Sequence, residues 1–315
     1  MALRRQVGEA ALAPPRVVTP RRTLADREDV LARVMLTPAL LYVLLLVGLP
    51  FVLAILLSFS AATAGSLDFT WVGLRNFARL LPDPQFRLAL RNTFLFTAVS
   101  QAIVILLAVT AANVLEAAFV GRRVVRFLLL LPWAVPVSLA AMAWTWIFDS
   151  TFSVVNWTLK VLGLLEGWFY WFGDPTLAMI AIITVHVWRM FPFATVIVLA
   201  GMTALPQEIR EAAVVDGAGF FRRLFQVQLP LLLPIVTVSV LFGVVFTATD
   251  LGVVWLLTRG GPYNSTHVLA TLAFQRGILA ANLGQGAAIA LFLLPVLVVV
   301  AWVMLRTARR TEVGG

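Results

Sequence analysis

Cysteine is absent from this 315-residue chain, lysine occurs once, at position 160, and histidine only at 186 and 267. Without cysteine there is no disulfide, no thiolate nucleophile and no cysteine-bound metal, and redox compartment cannot be read. Two separate histidines with no paired acidic cluster supply no metal-ligating set, and no Ser, His and Asp arrangement stands out. A phosphate-binding P-loop needs Gly-Lys-Ser/Thr. Lys160 lies between Leu159 and Val161, so this chain has no Walker-type nucleotide site, and an ATP-driven process would need its ATPase on another polypeptide. Charge is also scarce, at 12% of residues against roughly 25% in soluble domains. Long charge-free windows at 61% hydrophobic composition indicate a bilayer rather than an aqueous fold. The net charge of +9 would suit nucleic acid, but the arginines flank apolar stretches, where the positive-inside rule explains them better.

The windows predict six membrane helices, at about 35–58, 92–115, 127–148, 176–201, 230–256 and 283–305, each near the roughly 20 residues that cross a hydrocarbon core. Helices are the only plausible form, because backbone groups in lipid must satisfy one another. Residues 1–33 carry seven arginines, four acids and Pro14, Pro15 and Pro20, which reads as a mostly disordered tail. Ala62-Thr63-Ala64 resembles a signal-peptide cleavage site, but the apolar run before it exceeds a signal h-region of about 7–15 residues, so an uncleaved first span is preferred. Residues 34–307 then form the membrane domain and 308–315 a short tail. Sixteen arginines fall on the side that carries both termini, against seven basic residues on the other. Both termini are therefore expected to be cytoplasmic.

A long polar interruption between apolar spans, 203–229, does not read as a loose loop. Pro206, Gln207 and Glu208 suit a helix start, Gly217 suits a left-handed stop, and Phe220–Gln228 reads as a second short helix ending at Pro230. This knob falls on the cytoplasmic side by the charge count. On the opposite side, Trp157, Trp168, Tyr170 and Trp171 read as an interfacial belt, with partner docking as the rival reading. Pro132 and Pro136 point to a kink in span three. Gly284 with Ala288, and Gly286 with Ala290, are small-residue steps that permit close helix approach, within the chain or against a second one.

Glu211-Ala212-Ala213, three residues and then Gly217, followed by Leu229-Pro230, resembles the EAA loop of ABC importer permeases, in particular the carbohydrate-importing branch. Asp216-Gly217-Ala218, Phe225 and Pro234 extend the match. Trp71 to Phe77, Arg91-Asn92-Thr93, Trp188 and Thr258-Arg259-Gly260-Gly261-Pro262 resemble further family segments in the expected order, the last pointing to the first of two permease subunits. The resemblance spans about 35–307. It implies an all-α type I importer permease fold that is not itself catalytic and binds no cofactor, with ATP and Mg held by partner ATPases. Implied partners are a second permease in a heterodimer, two ATPase subunits, an external solute-binding protein, membrane lipid and a sugar. Glu211, Ala212, Ala213, Asp216, Gly217, Phe220 and Phe225 would couple to the ATPase; the competing reading is an amphipathic helix lying on the membrane.

Ionisable groups inside spans are costly and point to a path or a paired interior. His186, Arg189 and Phe193 share a face of span four, and Phe246, Thr247 and Asp250 recur on span five. With hydrogen-bonding and stacking groups together, these six residues are expected to contact a sugar, and the resemblance places the family's mid-membrane site near them. The alternatives are an Arg189–Asp250 ion pair, His186 bonded to a backbone carbonyl, and phenylalanines that only pack. An ATP-independent carrier using His186, Arg189 and Asp250 as a charge relay is the competing function.

Overall fold

The computed structural model describes residues 28–66 and 69–312; most of the 1–33 tail lies outside them. Contacts divide the chain into two units, residues 1–53 and 54–315. Helix α1 (Glu28–Val43) of the first unit continues through a π-helical turn, Leu44–Gly48, into α2 (Leu49–Ser58), of which residues 54–58 are counted in the second unit. The apolar stretch Leu31–Ser58 is 28 residues long. Helix is already present at Glu28, within the 28–33 part of the expected tail that is described.

In the second unit the described residues form helices joined by turns and loops, with one isolated bridge between Ser60 and Trp71. After the short α3 (Arg75–Leu80), the principal helices are α4 (Pro84–Glu116), α8 (Pro175–Ala204) and α11 (Leu229–Ala248). Asp83 caps α4 by accepting from the N–H groups of Gln85 and Phe86, and Asp174 caps α8 through Thr176 and Leu177. A proline follows each cap, where its missing N–H costs nothing. α4 and α8 pack along much of their length. Phe96, Val104, Ala108 and Ala112 meet Ala181, Ile182, Val185, Val198 and Met202 in one buried cluster. Alanine at these positions lets backbones approach closely where lipid supplies no hydrophobic drive.

Span three is broken rather than gently kinked. α5 (Arg122–Ala134) and α6 (Val137–Ile147) meet at 95°, with Pro136 at the break, where proline disfavours helical geometry in the residue before it and Val135 is extended. Among the described residues the long apolar helices number five, or six if this pair is one span. Span five departs from expectation at both ends. Its helix starts at Phe220, running through α10 (Phe220–Arg223) and a π-helical turn, Leu224–Gln228, without stopping at Pro230. It ends at Ala248, and α12 (Gly252–Thr258) is separate, so Asp250 lies in the break and not within a span.

A second cluster joins the start of α4 to α13 (Leu269–Phe274) and α14 (Leu283–Leu291), with Phe86, Ala89, Leu269, Leu272, Ala288 and Ile289 buried together. The glycine steps of α14 serve packing within the chain. A Cβ on Gly286 would lie 2.3 Å from Gly277 Cα, and one on Gly284 2.2 Å from Ser60 O. Arg276 anchors this corner, donating to Asp83 Oδ2 at 2.6 Å and to Gln85 Oε1 at 2.9 Å. Partial burial pushes the Asp83 carboxyl up, but the Arg276 bond and the two N–H donors outweigh it and hold it below the usual carboxylate range. Trp171 departs from the belt reading: it is buried against Phe148 and donates to Asn156 Oδ1 at 3.0 Å. α7 (Val154–Val161) carries that asparagine, while Trp157 and Tyr170 are exposed.

Candidate functional site

The polar groups of α8 and α11 meet where α11 ends. His186 is 1% exposed. Its Nδ1 lies 2.8 Å from Asp250 Oδ2 and its Nε2 2.9 Å from Thr247 Oγ1. Thr247 also accepts from Gln101 Nε2 of α4 at 2.6 Å and donates to Gly243 O at 2.7 Å. A carboxylate oxygen only accepts, so in the contact with Asp250 the donor is Nδ1–H of His186. Asp250 Oδ1 accepts from Val253 N at 2.9 Å, which fixes the start of α12. Phe96 meets the His186 ring edge-on at 4.8 Å between centroids.

Three of the six expected substrate residues, His186, Thr247 and Asp250, thus bond to one another. The carbonyl partner and the Arg189–Asp250 pair considered for them are both replaced by this network. Phe193 and Phe246 come together separately, ring centroids 6.2 Å apart and nearly perpendicular, and Trp133 of α5 stacks on Phe193 at 5.6 Å. Phe246 is exposed and Phe193 half-buried. Arg189 is half-buried with its Nε buried and unbonded. The arrangement offers an aromatic surface, a cation and a rigid hydrogen-bonded wall behind them. Among the described residues no group of three or more His, Cys, Asp or Glu forms a metal cluster.

The knob is the second element. α9 (Gln207–Val215) follows Pro206 directly. It closes with Gly217 at φ +72°, the Gly217 N–H on Val214 O at 3.0 Å and the Ala218 N–H on Ala213 O at 2.9 Å. This paired closure needs a left-handed residue, which glycine adopts without a Cβ penalty. Gln207 Nε2 donates to Glu211 Oε1 at 2.6 Å. Ala213 is buried, while Glu211, Ala212, Asp216, Gly217, Phe220 and Phe225 are exposed. Val215 at 86% and Phe221 at 72% exposure make an apolar tip that none of the described residues covers. Gln207, Glu211, Val214 and Phe220 also line a cleft of about 980 Å³ with Asn113 and Glu116 of α4.

Residues 105–313 match the family described as the binding-protein-dependent transport system inner membrane component. The chain belongs to that family. It is 33% identical over 268 residues to a trehalose/maltose transport system permease protein of Thermococcus litoralis, covering 85% of this chain and 90% of the relative. It is 32% identical over 290 residues to a sulfoquinovosyl glycerol transport system permease protein of Agrobacterium fabrum, covering 92% and 93%. A chain from the crystal structure of a bacterial alginate ABC transporter in complex with an alginate pentasaccharide-bound periplasmic protein shares the fold, with a TM-score of 0.77, 21% identity, and 92% and 98% coverage.

As a member of this multi-pass membrane family, the chain gives its remaining motifs physical roles. Asn76 Nδ2 donates to Ser58 O and Ser60 O, both at 2.8 Å, and so ties the Trp71–Phe77 segment to the end of α2. Asn92 Nδ2 donates to Ser265 O at 2.7 Å and His267 O at 3.0 Å, and Thr93 Oγ1 accepts from Leu269 N at 2.8 Å. Residues 265–269 are thereby pinned to α4, and Thr266 Oγ1, donating to Gly261 O at 2.6 Å, links them to the Thr258–Pro262 turn. Gly260, at φ +87°, lies so close to the His267 ring that a Cβ would approach it to 2.2 Å. Burial, and then the Arg276 charge, lower the His267 pKa to about 4. Sequence reasoning missed Gln101 and Trp133. Gln101 was detectable as an uncharged polar residue within an apolar span, whereas nothing local marked Trp133 as a partner for Phe193.

Proposed function

We propose that this chain is one permease subunit of an ATP-driven sugar importer, working by alternating access. It would pair with a second permease and receive sugar from an external binding protein, with ATP and Mg held by two separate ATPase subunits and both termini in the cytoplasm. The observation that carries the reading is the uncovered tip of the α9–α10 knob. Exposed Glu211 and Asp216 and bare valines and phenylalanines sit on a rigid glycine-closed turn, as a surface that docks into a protein groove requires. Phe220 begins the same continuous helix that reaches Thr247, so a push at the knob acts on the polar network directly. Sugar would stack on Phe193 and Phe246 and meet Arg189, with His186, Thr247 and Asp250 holding that face in place. The names of the trehalose/maltose and sulfoquinovosyl glycerol relatives support the sugar class.

Purification from native membranes tests the assignment. A separate ATPase should accompany the chain, and sugar uptake into vesicles should require ATP. Robust proton-driven uptake by this chain alone would establish the carrier reading instead; His186 and Asp250, engaged with each other, offer that reading no open relay.

A further inference from the structure

Among the described residues Arg189 has no counter-ion. The acids nearest to it in sequence are Asp174, which caps the far end of α8, and Glu208, exposed on the knob. The one acid between α11 and α12, Asp250, is taken by His186 and Val253. Among the described residues no carboxylate pairs with Arg189, and its Nε is buried without a partner. A guanidinium at membrane depth is costly and is found facing a path or a partner charge. Its planar fork matches carboxylate, sulfonate and phosphate oxygens. One turn further along α8, Phe193 carries the aromatic surface formed with Trp133 and Phe246.

We propose that Arg189 selects an anionic solute: a sugar bearing a carboxylate, sulfonate or phosphate, whose ring stacks on Phe193 and Phe246 while its charged oxygens meet the guanidinium. This rests on the importer reading above and adds charge selectivity to it. The Arg189–Asp250 pair would have neutralised the site, and the His186–Asp250 contact removes that option. A neutral sugar would leave the cation unpaired, at the energetic cost that usually keeps arginine out of membrane interiors.

The absence of cysteine makes the test direct. Phe193→Cys in the assembled complex is labelled with an anionic reagent, sulfonatoethyl methanethiosulfonate, and a cationic one, trimethylammonioethyl methanethiosulfonate. Labelling is followed on this chain with and without nucleotide. With Arg189 present, the anionic-to-cationic rate ratio should exceed that of the Arg189→Gln double variant by at least about tenfold, the order expected of one unit charge acting across a few ångströms of protein. Arg189→Lys should restore most of it. Equal ratios in all three would overturn the proposal, since an acid of another subunit would then neutralise Arg189. Failure of either reagent to reach position 193 in any nucleotide state would overturn it too, because the position would not line a path. ATP hydrolysis stimulated by the binding protein in Phe193-containing complexes scores the importer reading separately.

Discussion

His186 on α8 and Asp250, in the break after α11, are 64 residues apart in sequence and 2.8 Å apart in the fold. Asp250 also receives the Val253 N–H, so one carboxylate joins α8, the end of α11 and the start of α12. Thr247 and Gln101 extend the junction to α4.

Removing that carboxylate leaves a buried imidazole and a backbone N–H without acceptors. Asp250→Ala should lower stability by about 3 kcal/mol, as for the loss of buried charged hydrogen bonds. The thermal unfolding midpoint of detergent-purified complex checks this. A midpoint equal to wild type would mean that the junction is not structural.

Gly243 lies against Gln101. A Cβ there would sit 2.0 Å from Gln101 Oε1, so Gly243→Ala must displace the amide from Thr247, at a cost of about 1–3 kcal/mol for overpacking. Gln101→Ala removes the obstacle, and the double variant should be less destabilised than the two single effects added together. Strict additivity in a double-mutant cycle on unfolding midpoints would contradict the contact.

Much of this architecture was legible in the sequence, for identifiable reasons. Apolar windows located the long helices because a bilayer sets their length, and Gly217 marked its turn because only a left-handed stop closes α9 that way. Asp250 was misplaced inside a span because hydropathy carries across a break as short as residues 249–251. The α5–α6 corner was under-read because Pro136 reports a break but not its angle. The partner of His186 was unreadable because partners 64 residues apart share no local pattern, and helix periodicity gives a face without its neighbour.

Asn92 holds the 259–268 segment by two carbonyls. Asn92→Ala should release it, at about 2 kcal/mol for two buried acceptors left unpaired. Hydrogen exchange should speed up at Leu269 and Leu272 while α8 amides keep their protection. Uniform acceleration across both would show instead a global loss of stability.

His267 gives stability a pH dependence. Its folded pKa of about 4 lies below the ordinary 6.5, so the unfolded chain takes up the proton first. Stability from this group is complete above about pH 6.5, falls as pH drops toward about 4, and levels off below. His267→Gln should flatten that interval in unfolding midpoints; an unchanged slope would assign the dependence to other groups.

The central claim is that the knob transmits ATP hydrolysis to the spans it joins. The most direct measurement is ATP hydrolysis, stimulated by loaded binding protein, in proteoliposomes holding the complete complex with Glu211→Lys. Charge reversal on the exposed face of α9 should reduce stimulated hydrolysis at least about tenfold, the order of the several kcal/mol that like-charge juxtaposition costs an interface. Stimulation at the wild-type level, with the ATPase still bound in normal amount, would contradict the account.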